Sequence, residues 1–330
     1  MNQVWELRAI ARRIAGTRFS RPQAAAAALL VVVALWGASF VVVRTAVSAY
    51  PVVGFLFLRM LLGGLALMLV AHLRPHTRPR WRSAPRGRLV GVGAALTVGY
   101  LTQTTGLALG APAGVAATLT SLVVVLAPAW EWVMTGRTPD RRVVLSSALA
   151  ILGTVLVCHG AAPAGAPTTG AVVVGIALEV VSAAAFALQV VLVAQLGESL
   201  SAAALGGAQL LLVAVMLVPA LPIAGGLPIP SVGVAAAVLF SALGASALGF
   251  AVQAAAQRHL STEAAAVVMA TEPAFALGAA ALTGEQQLGI MAALGLSLLL
   301  VGVAAQQGAP TALLEGMVAR VGARLRWRQA

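Results

Sequence analysis

The sequence contains no lysine, a single aspartate, a single cysteine and only two tyrosines. Each scarcity removes a class of chemistry. Without lysine there is no Walker A motif and no lysine Schiff base. With Asp140 as its one aspartate, the chain cannot build an aspartate-rich site for a magnesium–diphosphate. Cys158 stands alone in an apolar run, so no intramolecular disulfide forms. The four histidines, His72, His76, His159 and His259, lie in or beside loops and show neither HExxH nor paired-ligand spacing. No metal and no cofactor are expected. Trp36-Gly37-Ala38-Ser39-Phe40 is not a GxSxG nucleophile elbow. A membrane-embedded enzyme acting on lipid would need a metal–diphosphate site or a nucleophile–base set, and neither is present. The chain is therefore read as a non-enzyme.

Charge is scarce as well. Apolar residues make up 60% of the chain and charged ones 9%, with a mean hydropathy of +0.97. Those proportions belong to a membrane protein, not to a soluble globule. What charge there is consists mostly of arginine, 21 residues within a net +12. A basic balance raises nucleic acid as a partner, but the arginines form no aromatic-laced basic face, and lipid head groups suit them better.

The arginines fall on alternate connections. They occupy the N-terminal arm (Arg8, Arg12, Arg13, Arg18, Arg21) and the 74–88 loop (Arg74, Arg78, Arg80, Arg82, Arg86, Arg88). They recur at 135–142 (Arg137, Arg141, Arg142), at Arg258, and in the tail (Arg320, Arg324, Arg326, Arg328). The connections near 50, 110, 161–169, 220–230 and 284–285 have none. Short cytoplasmic loops retain positive charge, so this alternation gives a topology.

A helix needs about 20 apolar residues to cross a bilayer. The segments that qualify are 24–49, 51–73, 89–109, 112–134, 143–160, 170–196, 201–219, 231–257, 261–283 and 286–307. The first is too long for the apolar core of a signal peptide. Ten spans place every arginine-bearing piece, and both termini, in the cytoplasm. The expected fold is an all-α polytopic membrane protein. Residues 1–23 form a basic cytoplasmic arm, 24–160 a first five-helix repeat, 161–169 an external linker, 170–307 a second repeat, and 308–330 a basic cytoplasmic tail. Leu314, Met317, Val318, Val321 and Leu325 in that tail have the spacing of an interfacial helix. A plain basic tail fits them nearly as well.

The halves resemble each other. A shift of 150 residues lays Trp36 on Phe186 and Arg59-Met-Leu-Leu on Gln209-Leu-Leu-Leu. A shift of 148 lays Thr135-Gly136-Arg137 on Thr283-Gly284-Glu285. With five spans per half, the second half enters from the opposite side, as an inverted repeat.

Ionisable side chains at membrane depth are expensive and mark function by default. Arg44, Arg59, Glu131, Glu179 and Glu272 fall within spans. Arg44 and Glu131 sit near span ends and can snorkel. The other three lie deeper. Glu179, Ser182, Phe186 and Gln189 share one stripe of their helix, as do Trp36, Phe40 and Arg44. Ser246, Gly249, Gln253 and Gln257 form a comparable stripe, and the third span offers Thr97, Tyr100 and Thr104, with Gln103 adjacent. Such polar residues can equally serve as interhelical glue, and Arg59 with Glu272 as a buried ion pair. Pro128 and Pro273 sit inside the fourth and ninth spans, where a kink would free the carbonyls of Val124 and Met269.

Trp36-Gly37-Ala38-Ser39-Phe40 followed by Arg44, then Leu58-Arg59, resembles the opening of EamA-type carriers of the drug/metabolite transporter superfamily. Gly136-Arg137 resembles that family's Gly-Glu-Arg turn, and Glu272-Pro273 with Gly284-Glu285 its second-half signature. Two departures stand out: the first-half turn lacks its acidic residue, and Glu179 matches no family landmark. The resemblance implies a secondary carrier of the bacterial inner membrane that works by alternating access. It would export a small amphipathic metabolite, such as an amino acid, a derivative or a drug-like compound.

The expected substrate-binding residues are Trp36, Phe40, Arg59, Tyr100, Gln103, Glu179, Phe186, Gln189, Gln253 and Glu272. Glu179 or Glu272 would be the proton-linked group if transport is coupled. A non-transporting membrane scaffold or sensor is the alternative.

Overall fold

A computed structural model describes residues 21–73, 85–136, 138–160, 169–196, 200–256, 259–260, 268–269, 271–285 and 289–306. The arginines at 8–18, 74–82, 137, 258 and in the tail lie outside these residues. So do Gln257, positions 161–168 of the linker and the amphipathic stretch after Pro310.

The described chain is helical, without strands. The helices are α1 (Arg21–Val47), α2 (Val52–Leu73), α3 (Arg86–Ala108), α4 (Ala113–Thr120), α5 (Val123–Thr135) and α6 (Arg141–Gly160). The second half follows with α7 (Gly170–Ala194), α8 (Ala202–Leu217), α9 (Val232–Leu239), α10 (Gly249–Ala256), α11 (Glu272–Leu282) and α12 (Ile290–Gln306). A π-helical run of nine residues, Phe240–Leu248, joins α9 to α10 in one rod. Only helices and closed barrels satisfy every backbone group inside lipid, so long apolar runs resolve into helices. Hydroxyl side chains cap several starts: Thr169, Ser201 and Ser231 accept from the backbone N–H of Val172, Ala204 and Val234.

Seven of these helical stretches are long and apolar enough to cross a membrane. The 23-residue α3 has the length but more polar residues. The apolar helices α11 and α12 are shorter. The outside of the bundle is apolar. Leu69 is 60% exposed and Leu145 58%. Water does not tolerate such a surface in a lone soluble chain, whereas lipid does.

Helix pairing follows a two-fold logic. α2 lies against α8, and α6 against α12, antiparallel in both cases: Gly63 meets Leu210 while Gly206 meets Leu67, and Gly153 meets Leu299 while Gly302 meets Ala150. α3 packs on α7, and its counterpart is α1 against the π run and α10. α4 and α5 pack on α7, just as α11 packs on α1.

The breaks in the helices differ from the sequence expectation. The fourth segment is interrupted at Ser121–Leu122, between α4 and α5, ahead of Pro128. In the ninth, α11 starts at Glu272, so Pro273 stands in the first turn, where a missing N–H costs nothing. Pro273 thus opens a helix directly after the interruption at Thr271.

Candidate functional site

Both breaks face a central cavity. Thr120, Ser121, Val123 and Val124 line it from the first half, and Met269 and Glu272 from the second. The remaining wall comes from Trp36, Ser39 and Phe40 of α1, Arg59 of α2, and Leu96, Tyr100 and Gln103 of α3. Phe186, Gln189 and Val190 of α7 and Phe250 and Gln253 of α10 complete it. The cavity measures about 140 Å³. At ~10–15 Å³ of accessible volume per water, that is room for a small metabolite in place of roughly ten waters.

Arg59 dominates the wall electrostatically. Its side chain is almost fully buried, its Nε donates to Ser246 Oγ at 2.9 Å, and its guanidinium carbon lies 4.9 Å from the centre of the Tyr100 ring. The face of an aromatic ring attracts a cation, so Tyr100 steadies the guanidinium without neutralising it. Tyr100 in turn meets Phe186 edge to face, with centroids 5.1 Å apart and planes at 74°. Trp36 Nε1 donates to the Ala245 carbonyl at 2.6 Å. The π run therefore holds two cavity residues at once, Trp36 through Ala245 and Arg59 through Ser246.

Amide side chains close the gaps. Gln103 donates to Thr120 at 3.1 Å, Gln189 to Gln209 at 2.6 Å, and Gln253 lies 3.8 Å from Met269 Sδ. Glu272 projects from the first turn of α11. Gly37 lets α1 press against that same turn, since a Cβ there would lie 2.7 Å from Phe275 Cβ and 3.0 Å from the Glu272 carbonyl.

The structure thus gathers Trp36, Phe40, Arg59, Tyr100, Gln103, Phe186, Gln189, Gln253 and Glu272 around one cavity. Glu179 lies outside it, buried between α3 and α7. Arg59 and Glu272 share the cavity but form no ion pair. Among the described residues the ion pair is Arg44 with Glu285. Glu131 is exposed. Thr120, Ser121, Phe250 and Met269 were not expected in the wall. The polar run Thr118-Leu119-Thr120-Ser121 within an apolar span was the available signal for the first two. No cluster of three or more metal-ligating side chains occurs among the described residues.

On the arginine-poor side the cavity is roofed by a packed cluster that includes Phe40, Val43, Val47, Tyr50, Phe55, Ala116, Val234 and Ala276. Tyr50 seals it further by donating to the Pro228 carbonyl at 2.7 Å. Toward the other side, α5 has no buried residue.

The EamA-like transporter family model matches residues 23–158 and again 173–305, which is most of the chain in two consecutive copies. The chain belongs to the EamA-like transporter family. The paired halves read from the sequence are the two repeats of that family, and the protein is a multi-pass membrane protein of the drug/metabolite transporter superfamily. Members of this family are transporters. A solved structure described only as the crystal structure of a protein matches with a TM-score of 0.63 at 17% identity. The match covers 86% of this chain and 96% of that one, and the likeness is one of fold. No curated protein matches this chain.

Proposed function

We propose that this EamA-like protein is a ten-span secondary carrier of the bacterial inner membrane, with both termini cytoplasmic. It exports a small amphipathic metabolite bearing a carboxylate, an amino acid or a derivative, by alternating access. One observation carries the substrate reading: Arg59 and Glu272 face the same small cavity without pairing to each other. A fixed cation and a carboxyl left apart in an aromatic-walled space suit a ligand that bears both signs. The ligand's carboxylate would meet Arg59, its ammonium group Glu272, and its apolar part Trp36, Phe40 and Phe186.

The topology is supported by the arginine alternation and by the helix directions. α2/α8, α3/α7 and α6/α12 run antiparallel, whereas α1 and α11 run parallel, as ten alternating passes require. The roof on the arginine-poor side makes the described state one that is closed to the outside.

The deciding experiment is uptake into inverted vesicles with a panel of labelled amino acids, nucleosides and cationic dyes. Accumulation of amino acids that is abolished in Arg59→Gln and Glu272→Gln supports the reading. Accumulation of dyes alone, or of nothing, rejects the substrate assignment. Unchanged function in both variants favours a scaffold.

A further inference from the structure

Among the described residues, Glu179 is the most deeply buried carboxyl outside the cavity wall, at 0% exposure. Neither of its oxygens has a hydrogen-bond partner. The Ser182 hydroxyl, one turn on, donates to the Glu179 backbone carbonyl.

The surroundings are built around this group. α3 and α7 cross antiparallel with Phe186 over Gly99 and Glu179 over Gly106. A Cβ at Gly99 would fall 2.5 Å from Phe186 Cε1. A Cβ at Gly106 would fall 2.7 Å from Glu179 Oε1 and 2.7 Å from the Gly175 carbonyl, and one at Gly175 would fall 2.7 Å from the Gly106 carbonyl. The two backbones therefore touch, and the carboxyl lies in the notch that Gly106 leaves. α4 closes the seam with apolar side chains: Val115 and Leu119 pack with Ile176 of α7.

Among the described residues, no cation faces the notch. The ionisable groups of α3 are Arg86 and Arg88 at its far end, where Arg88 bonds the Gln195 carbonyl, and Tyr100, which is engaged with Arg59 and Phe186. α4 has none, α5 brings the exposed Glu131, and α7 has no other. An unpaired anion removed from water costs several kcal/mol even after relaxation. The closed seam suits a neutralised carboxyl and not a bare one.

We propose that Glu179 is a binding site for a coupling proton, separate from the substrate cavity. The proton holds the α3–α7 seam shut, and its release requires the seam to part. The seam and the cavity share their walls, because Gln103 of α3 and Phe186 of α7 line the cavity within two turns of Glu179. Proton occupancy is thereby linked to the shape of the cavity without competition for it. This rests on the carrier reading above.

The test reads the seam without any substrate. Spin labels replace Val98 on α3 and Val181 on α7, both about half exposed on the outer surface, in the full chain carrying Cys158→Ser. Their separation is measured by pulsed electron resonance in lipid nanodiscs. One arm varies pH in potassium buffer. The other varies sodium at fixed pH. The distance is expected to lengthen as pH rises, with no effect of sodium. A distance that lengthens on sodium removal at fixed pH overturns the proposal. Glu179→Gln, neutral and of the same shape, stays at the short distance throughout.

A second variant, Gly106→Ala, fills the notch and gives the long distance under all conditions. A wild-type distance that does not respond to pH overturns the proposal. So does a response that survives in Glu179→Gln. Failure of the carrier reading would show separately, as absence of substrate uptake by the wild type with the distance response intact.

Discussion

Arg44 in the last turn of α1 donates to Glu285, just past the end of α11, across 2.8 Å. The two helices run parallel, meet at Gly37, and are tied a second time at their ends by this pair. The side chains are 32% and 20% exposed, so the bond is partly hydrated and modest. It closes the same end of the bundle as the Phe40–Tyr50 cluster.

This pair should act as an outer latch. Pairs with this exposure contribute about 0–1 kcal/mol, so losing one partner should shift the balance between closed and open states by up to about fivefold. The readout is labelling of Ser39→Cys by a membrane-impermeant thiol reagent applied from the outer face, in a Cys158→Ser background. Arg44→Ala and Glu285→Ala should each raise the rate. The charge swap Arg44→Glu with Glu285→Arg should restore it. Equal rates in all four proteins would leave the pair without a gating role.

Arg59 should be indispensable, and lysine should not replace it. A hydrogen bond to a charged group contributes roughly 1.5–3 kcal/mol, so Arg59→Gln should lower transport efficiency by about 10- to 150-fold. Arg59→Lys keeps the charge but loses the planar group that both bonds Ser246 and lies over Tyr100. Initial uptake rates in vesicles decide this. Wild-type rates in Arg59→Lys would show that only charge matters.

Ser246 should work through Arg59. Ser246→Ala removes a neutral acceptor from the guanidinium and should raise KM by roughly 2- to 10-fold with little change in maximal rate. Ser246→Thr, which keeps the hydroxyl, should recover most of the loss. In an Arg59→Gln background the alanine substitution should add nothing further. An additive loss there would separate the two residues.

Reporter fusions or cysteine labelling at positions 76, 138, 165 and 225 test the topology. Positions 76 and 138 should read cytoplasmic, and 165 and 225 external. A reversed result at 76 or 138 would rule out the ten-span arrangement.

Much of this was legible in the sequence because lipid imposes blunt rules. Long apolar runs marked the helices, and the cost of burying charge drew attention to Arg59, Glu179 and Glu272 before any geometry was known. The two-repeat organisation followed from landmarks such as Trp36 against Phe186. Other features carry no local signature. The break at Ser121–Leu122 contains neither proline nor glycine, while Pro273, which looked like a kink, begins a helix. The stripe of Glu179, Ser182, Phe186 and Gln189 gave the correct shared face of α7 but not how far the cavity extends along it. Cavity and seam lie one above the other on that face. The π run has the composition of any apolar helix, so its grip on Trp36 and Arg59 is visible only in three dimensions.

That run also bears on direction. Its counterpart in the first half falls within α3, which is α-helical from Arg86 to Ala108. A carrier whose repeats exchange roles would, if its halves were perfect mirrors, spend equal time facing each side. Here one rod is wound more loosely than its mate, so in the proposed alternating-access cycle the two facings would differ in energy. The empty protein should then favour one facing, although equal solute on both sides still gives no net flux.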